Sequence, residues 1–190
     1  MAIGIIIVIL VVIALVVIGF LSFFVGVYNS LVRLRNDINK AWANIDVILK
    51  QRYDELPKLI NSVKGYMKHE SGLLTELTKA RTAFLNAKTM SQKASADNMI
   101  SGALKSIFAV AENYPNLKAN ENFIQLQSRI SGLENELSDR REFYNDAANT
   151  FNIRIQSFPD MIIAGMLGYR QPIEMFKVTE QEKTDVKVEF

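Results

Sequence analysis

From Ala2 to Val27 the chain reads AIGIIIVILVVIALVVIGFLSFFVGV, without a charge, a proline, an Asn or a Gln, and only then do polar positions begin. As a helix this stretch is about 39 Å long at ~1.5 Å per residue, more than the ~30 Å core of a bilayer requires. Residues 1–27 are therefore expected to be a transmembrane anchor. A cleaved secretory signal would need a basic start, an apolar core of ~7 to 15 residues and a small-residue cleavage site, and the sequence offers none of these. A buried helix of a soluble domain would have to be wrapped by protein on every side along nearly twice the usual apolar run.

After the anchor the pattern becomes one-sided. Leu31, Leu34, Ile38, Ala41, Ile45 and Ile48 keep a three-four spacing, and the stripe then drifts to Leu49, Leu56 and Val63, as a 3.6-residue helix drifts against a strict heptad. Further on, Phe123, Ile130, Leu137, Tyr144, Phe151 and Phe158 form a sevenfold row, with Leu126, Leu133, Arg140 and Ala147 offset from it. Two shorter stripes lie between: Leu73, Leu77, Ala80, Phe84, and Ala96, Ile100, Ala103, Ile107, Val110, the latter stopping at Asn113-Tyr114-Pro115. These patterns predict helices over about 28–69, 71–88, 90–113 and 120–157. The expected fold is all-α: an N-terminal transmembrane helix continuous with an antiparallel up-down four-helix bundle over 28–157. Pro57 lies mid-stripe and predicts a kink, since the apolar spacing resumes at Leu59 and Val63.

At ~1.5 Å per residue the four helices measure about 60, 27, 33 and 57 Å, so alternating directions bring the last one back to within about 10 Å of the start. The segment there is apolar but too short to span: Phe158, Pro159, Met161, Ile162, Ile163, Met166, Leu167 and Tyr169 suit either the membrane interface or packing on the bundle base or a neighbouring subunit. Within the 158–190 terminal stretch, Val186, Val188 and Phe190 alternate with Lys187 and Glu189. That is either a disordered tail or a short strand that would pair with the tail of another copy.

Charge and chemistry narrow the function. The net charge is +2 with mixed signs along the chain, which gives no basic stripe for nucleic acid. Arg33, Arg35 and Lys40 follow the anchor, and this bias places the N-terminus outside and the bundle in the cytoplasm, as a single-pass protein of the cell membrane. The chain has no cysteine and one histidine, His69, beside Glu70 at a helix end, where a solvated or capping role is expected. No Glu-x-x-His pair could build a dimetal site and the glycines form no phosphate loop, so no catalytic, metal or cofactor residues are assigned and an enzyme is not expected. Tyr28-Asn29, Tyr144-Asn145 and Phe151-Asn152 are aromatic-Asn pairs, short enough to read as chance.

Two sets of residues stand out from the stripes. Arg52 falls in register with Ile38 and Ile45, close to Asp54 and Glu55, and Arg140 falls in the offset row near Glu136 and Asp139. Arg52, Asp54 and Arg140 are expected in a polar layer crossing the bundle, setting register rather than forming a binding site. Within the anchor, Gly19, Ser22 and Gly26 share one face where a second helix could approach closely, unless they reflect the ordinary composition of membrane helices.

The stretch from 28 to 70 resembles the LemA family signature, especially at Tyr28-Asn29, Ala41-Trp42, Ile45-Asp46, Arg52-Tyr53-Asp54, Pro57 and Val63-Lys64-Gly65-Tyr66. AENYPNLKANENFIQLQ, 111 to 127, resembles the family's most recognisable motif. Arg140-Arg141, Tyr144-Asn145, Phe158-Pro159 and Lys187-Val188-Glu189-Phe190 continue the likeness over nearly the whole chain. Departures are mild: Gln51 stands where a second arginine is usual, and Glu55 and Lys58 where Leu or Ile and Asn are usual. The resemblance implies one N-terminal span, a cytoplasmic antiparallel helical bundle and no known catalytic residues. Magnetosome proteins belong to the family, and family genes often neighbour membrane metalloproteases. Two roles follow as expectations: a self-associating, homo-oligomeric scaffold that organises or shapes a patch of lipid bilayer, or an adaptor for another membrane protein such as a metalloprotease.

Overall fold

A computed structural model describes residues 1–67 and 69–176, and within them every regular element is helical. The alternating residues Val186, Val188 and Phe190 lie outside the described residues. Six helices follow in order: α1 Ala2–Lys64, α2 Ser71–Asn86, α3 Met90–Ala111, α4 Pro115–Lys118, α5 Glu121–Gln156 and α6 Asp160–Met166. The apolar run and the stripe behind it belong to one uninterrupted helix, α1, which continues through Pro57.

α3 starts on a capping box: the Thr89 hydroxyl accepts from the Gln92 amide N–H, and the Gln92 side chain accepts from the Thr89 amide. Pro115 does not merely end α3. It occupies the first turn of the short helix α4, where its missing N–H leaves no intrahelical acceptor unpaired. α5 opens with the Asn120 Oδ1 accepting from the Phe123 N–H at 3.1 Å.

The chain divides into two compact units, one of Ala43–Arg140, the other of Met1–Trp42 with the chain from Arg141 onward. In the first, the core is built by α1 side chains such as Ile45, Leu56 and Leu59, by Leu77 and Ala80 of α2, by Ile100, Leu104 and Ile107 of α3, by Leu117 of α4, and by Phe123, Ile130 and Leu137 of α5. Tyr53 stacks on Phe84 with ring centroids 5.2 Å apart, which joins α1 to α2, and Phe108 meets Phe123 edge-on at 6.2 Å, which joins α3 to α5. In the second unit burial starts at Val27 and Leu31 on α1 and continues through Tyr144, Ala148 and Phe151 on α5. Five of the six residues in the sevenfold row are buried. The sixth, Phe158, lies beyond the end of α5 and is 80% exposed.

Candidate functional site

In the unit that contains the apolar N-terminal run of α1, the chain after α5 doubles back and is held against α5 by side chains that read its backbone. α6 closes on Gly168, whose φ of +78° only glycine adopts without strain. The Tyr169 N–H reaches the Ala164 carbonyl at 2.9 Å and the Gly168 N–H the Gly165 carbonyl at 3.2 Å, the two bonds of a Schellman motif. Arg154 pairs with Asp160 and so ties the end of α5 to the start of α6. Tyr169 then packs edge-on to Phe151 at 5.3 Å.

Beyond this turn, residues 173–176 lie along α5. Asn152 donates from Nδ2 to the Ile173 carbonyl at 2.9 Å and accepts at Oδ1 from the Ile173 N–H at 2.7 Å. Asn145 does the same for Phe176, at 3.0 and 2.8 Å. Each amide thus supplies one donor and one acceptor to a single residue, the pairing a neighbouring strand would offer. Spacing explains the fit: seven helical residues rise about 10.5 Å and three extended residues advance about 10 Å. Between the two pairs the Tyr144 hydroxyl donates to the Glu174 carbonyl at 3.2 Å.

The ring of Phe176 fills a cage. It stacks on Trp42 of α1 with centroids 6.0 Å apart and planes 19° apart, meets Tyr144 edge-on at 5.3 Å, and receives the Arg141 guanidinium at 5.2 Å from its centroid. Burial pushes the Tyr144 phenol above its ordinary value of 10.0, with Arg35 opposing the rise and Glu174 adding to it. As members of short aromatic-Asn pairs, Asn145 and Asn152 carry no role that either pair makes visible. The signal was their separation of seven, each directly following a buried aromatic of the sevenfold row.

The other unit has a buried charged cluster. Arg52, 1% exposed, donates from Nη1 to Asp97 Oδ1 at 2.8 Å and to the Ser101 hydroxyl at 3.0 Å, while its Nη2 stands 3.4 Å from Glu134 Oε1. One turn on, buried Glu55 meets Arg129 Nε at 2.8 Å and Lys58 Nζ at 3.0 Å. Lys93 pairs with Asp46 at the other end of the row. The residues expected beside Arg52 are placed elsewhere. Asp54 is exposed, and Arg140, half-buried, bonds Glu136 of its own helix at 3.1 Å and lines a shallow groove of about 290 Å³ with Asn44, Val47, Ile48 and Gln51. The acid that meets Arg52 is Asp97, which lies on the buried stripe Asp97, Ile100, Leu104, Ile107, Ala111 and was legible as the one charge on it.

Among the described residues, the apolar run of α1 and the outer face of α6 stay uncovered. No residue of the most apolar window of α1 is buried, and among the described residues α1 is the one helix long and apolar enough to cross a membrane. Gly19, Ser22 and Gly26 are exposed, with no atom near where a Cβ would stand on either glycine. On and beside α6, Phe158, Met161, Ile162 and Met166 face outward, Ile163 is buried, and Pro159, Leu167 and Tyr169 are half-buried. His69 is exposed, and no group of three or more His, Cys, Asp or Glu able to hold a metal occurs among the described residues.

These features define an all-helical protein with one membrane-length apolar helix at its N-terminus and a peptide segment pinned on a long helix. The LemA family profile matches residues 41–190, and the chain belongs to the LemA family. It is 32% identical over 168 residues to Protein LemA of Metamycoplasma hominis, covering 86% of this chain and 74% of that protein. Magnetosome protein MamQ 2 of Paramagnetospirillum magneticum is 23% identical over 181 residues, 82% of this chain and 66% of the relative. Magnetosome protein MamQ of Magnetospirillum gryphiswaldense is 21% identical over 175 residues, 78% and 64%. The chain therefore spans about two thirds of the length of these magnetosome relatives.

Breaking the buried pair from one side leaves an unpaired charge in the core. Arg52→Met or Asp97→Leu alone should cost about 3–5 kcal/mol in urea unfolding of the full chain in detergent. The double variant should lose less than the two singles summed, by about 0.5–3 kcal/mol. Additive losses would show that the two side chains do not interact.

The raised Tyr144 pKa gives an alkaline signature. Above 10.0 the unfolded phenol ionises while the folded one keeps its proton, so the unfolded state holds fewer protons and stability falls. The stabilisation is complete below 10.0 and is lost as pH rises through the folded value. Tyr144→Phe should flatten the alkaline arm of a stability-against-pH curve. An unchanged arm would mean that this phenol is not shielded.

Proposed function

We propose that this protein is a non-enzymatic, single-pass membrane scaffold that self-associates and organises a patch of bilayer. The observation that carries this reading is the pair of uncovered apolar surfaces, one long enough to cross a membrane, the other the outward face of α6. Full burial of a large apolar side chain is worth ~1.5–3 kcal/mol, and Phe158, Met161, Ile162 and Met166, each at least half exposed, forgo part of it, which an apolar environment would supply. We take that environment to be the membrane interface. The small-residue face at Gly19, Ser22 and Gly26 is left open to a second anchor. Relatives named as magnetosome proteins are in keeping with a role at a membrane.

An antiparallel up-down bundle is the arrangement we assign to the helices behind the anchor. Pairing order supports it: Arg35 lies over Phe151 while Trp42, seven residues later, meets Tyr144, seven earlier. Likewise Arg52 is near Glu134 and Glu55 meets Arg129, whereas Asp46 with Lys93 and Arg52 with Asp97 advance together on α1 and α3. Arg33, Arg35 and Lys40 after the span support a cytoplasmic side for this body. Two polar clusters, around Arg52 and around Glu55, serve register.

Size decides the central claim. Full-length protein purified in detergent should run as a homo-oligomer by light scattering. A monomer at working concentration would remove the scaffold and favour an adaptor for another membrane protein.

Depth tests the α6 surface. The chain has no cysteine, so Met166→Cys can carry a single environment-sensitive fluorophore. In vesicles it should be quenched several-fold more by spin-labelled lipids than the same probe at Gly132→Cys. Equal quenching at both positions would detach α6 from the interface.

A further inference from the structure

We propose that the α5 face holding residues 173–176 is an exchangeable peptide site, and that its occupant in the assembled protein is the same segment of a second copy of this chain. The inference rests on the self-association proposed above and supplies its contact.

The site has the chemistry of a peptide receptor. Two asparagine amides, on Asn145 and Asn152, each satisfy both backbone groups of one ligand residue, and the Tyr144 hydroxyl takes a carbonyl between them. These five bonds read only main chain, as strand addition does. Side-chain selection comes from the cage of Trp42, Tyr144 and Arg141, which takes a flat aromatic. The ligand class is therefore an extended tetrapeptide with an aromatic fourth residue. The peptide seen to satisfy all of these requirements is Ile173-Glu174-Met175-Phe176, which every copy of the chain carries.

The segment is also built to leave. Glu174 and Met175 are exposed, and so are Arg170, Gln171 and Pro172, which connect it to the Schellman turn. Of these connecting residues only Arg170 makes a backbone bond, to Gly168 at 3.0 Å, and Pro172 has no N–H to give. Peeling the segment away thus breaks bonds at 173, 174 and 176 and leaves α6, Gly168 and Tyr169 in place. A strap from another copy would remake the same bonds, so the balance between the two states is set by effective concentration rather than by new contacts. A short tether gives an effective concentration of about a millimolar, and a membrane helix confines copies to one surface where they compete on those terms.

Trp42 is the only tryptophan in the chain and stacks directly on the ligand ring, so its emission reports occupancy. The strap-defective variant combines Ile173→Pro, which deletes the N–H that Asn152 accepts, with Phe176→Ala, which empties the cage. The receptor-defective variant is Asn145→Ala with Asn152→Ala. Both are full-length, in detergent, and circular dichroism checks the helices of each. In the strap-defective chain the Trp42 emission should shift to the red, and a synthetic peptide of residues 170–176 should shift it back. Each variant alone should lose strap-linked pairs at least tenfold in pull-downs between two differently tagged preparations, and mixing the two variants should restore pairing through the one intact strap and one intact receptor. Failure of the peptide to act on Trp42 would overturn the exchangeable site. Peptide binding without complementation between the variants would overturn the second copy as occupant and point to the tail of another protein. Undiminished pairing in both variants would overturn the exchange while leaving self-association standing, whereas a monomeric wild type would remove the self-association itself.

Discussion

One helix has to satisfy two solvents. α1 is apolar on every side until Val27, where burial begins, and is striped from there to Lys64. An all-round apolar surface of that length has no stable resting place in water, and a striped one has none in lipid. The change of pattern at Tyr28-Asn29 therefore marks where the all-round apolar surface ends and the one-sided packing surface takes over. Everything that packs on α1, from Val27 to Val63, lies on its striped part. Among the described residues, the uncovered face of α6 is a second surface whose composition is as apolar as that of the first 27 residues.

The buried charges do a different job. Arg52 and Glu55 are three apart on α1 and opposite in sign: the arginine bonds Asp97 and Ser101 on α3 and stands 3.4 Å from Glu134 on α5, and the glutamate takes Arg129 on α5. A hydrophobic pair at the same places would pack at several offsets along the stripe. An arginine with 1% exposure tolerates only the offset that brings a carboxylate to it, because a buried guanidinium without one is far more costly than a misplaced leucine. Buried pairs of this kind discriminate between offsets more than they add net attraction.

Periodicity made the helices legible, because spacing of three and four along a chain is a direct record of what one face of a helix must bury. It showed Ile38, Ile45, Leu56, Ile130, Leu137 and Phe151 as buried, and Arg52 as the exception on its stripe. It did not show which acid would meet Arg52. Nearness in sequence favoured Asp54, but a residue two positions along a helix points well away from its neighbour, so the partner had to come from another element. The chain beyond α5 was harder still. Apolar content marked 158–169 without saying which side chains face out, and the docking of 173–176 depends on backbone groups, which leave no trace in composition. Asn145 and Asn152 were visible only as a spacing whose meaning required the extended segment lying across them.

That segment is held by a ruler. Two amides on successive heptads of α5 fit only residues three apart, and the hydroxyl of Tyr144 donates to a carbonyl in the interval. Glu174 and Met175 can therefore drift in identity over evolutionary time with little consequence for docking, so long as their number stays at two. A single inserted or deleted residue there would carry Phe176 out of its cage while leaving every other letter of the segment unchanged. What this stretch of the gene transmits is a length and, at its end, one aromatic ring.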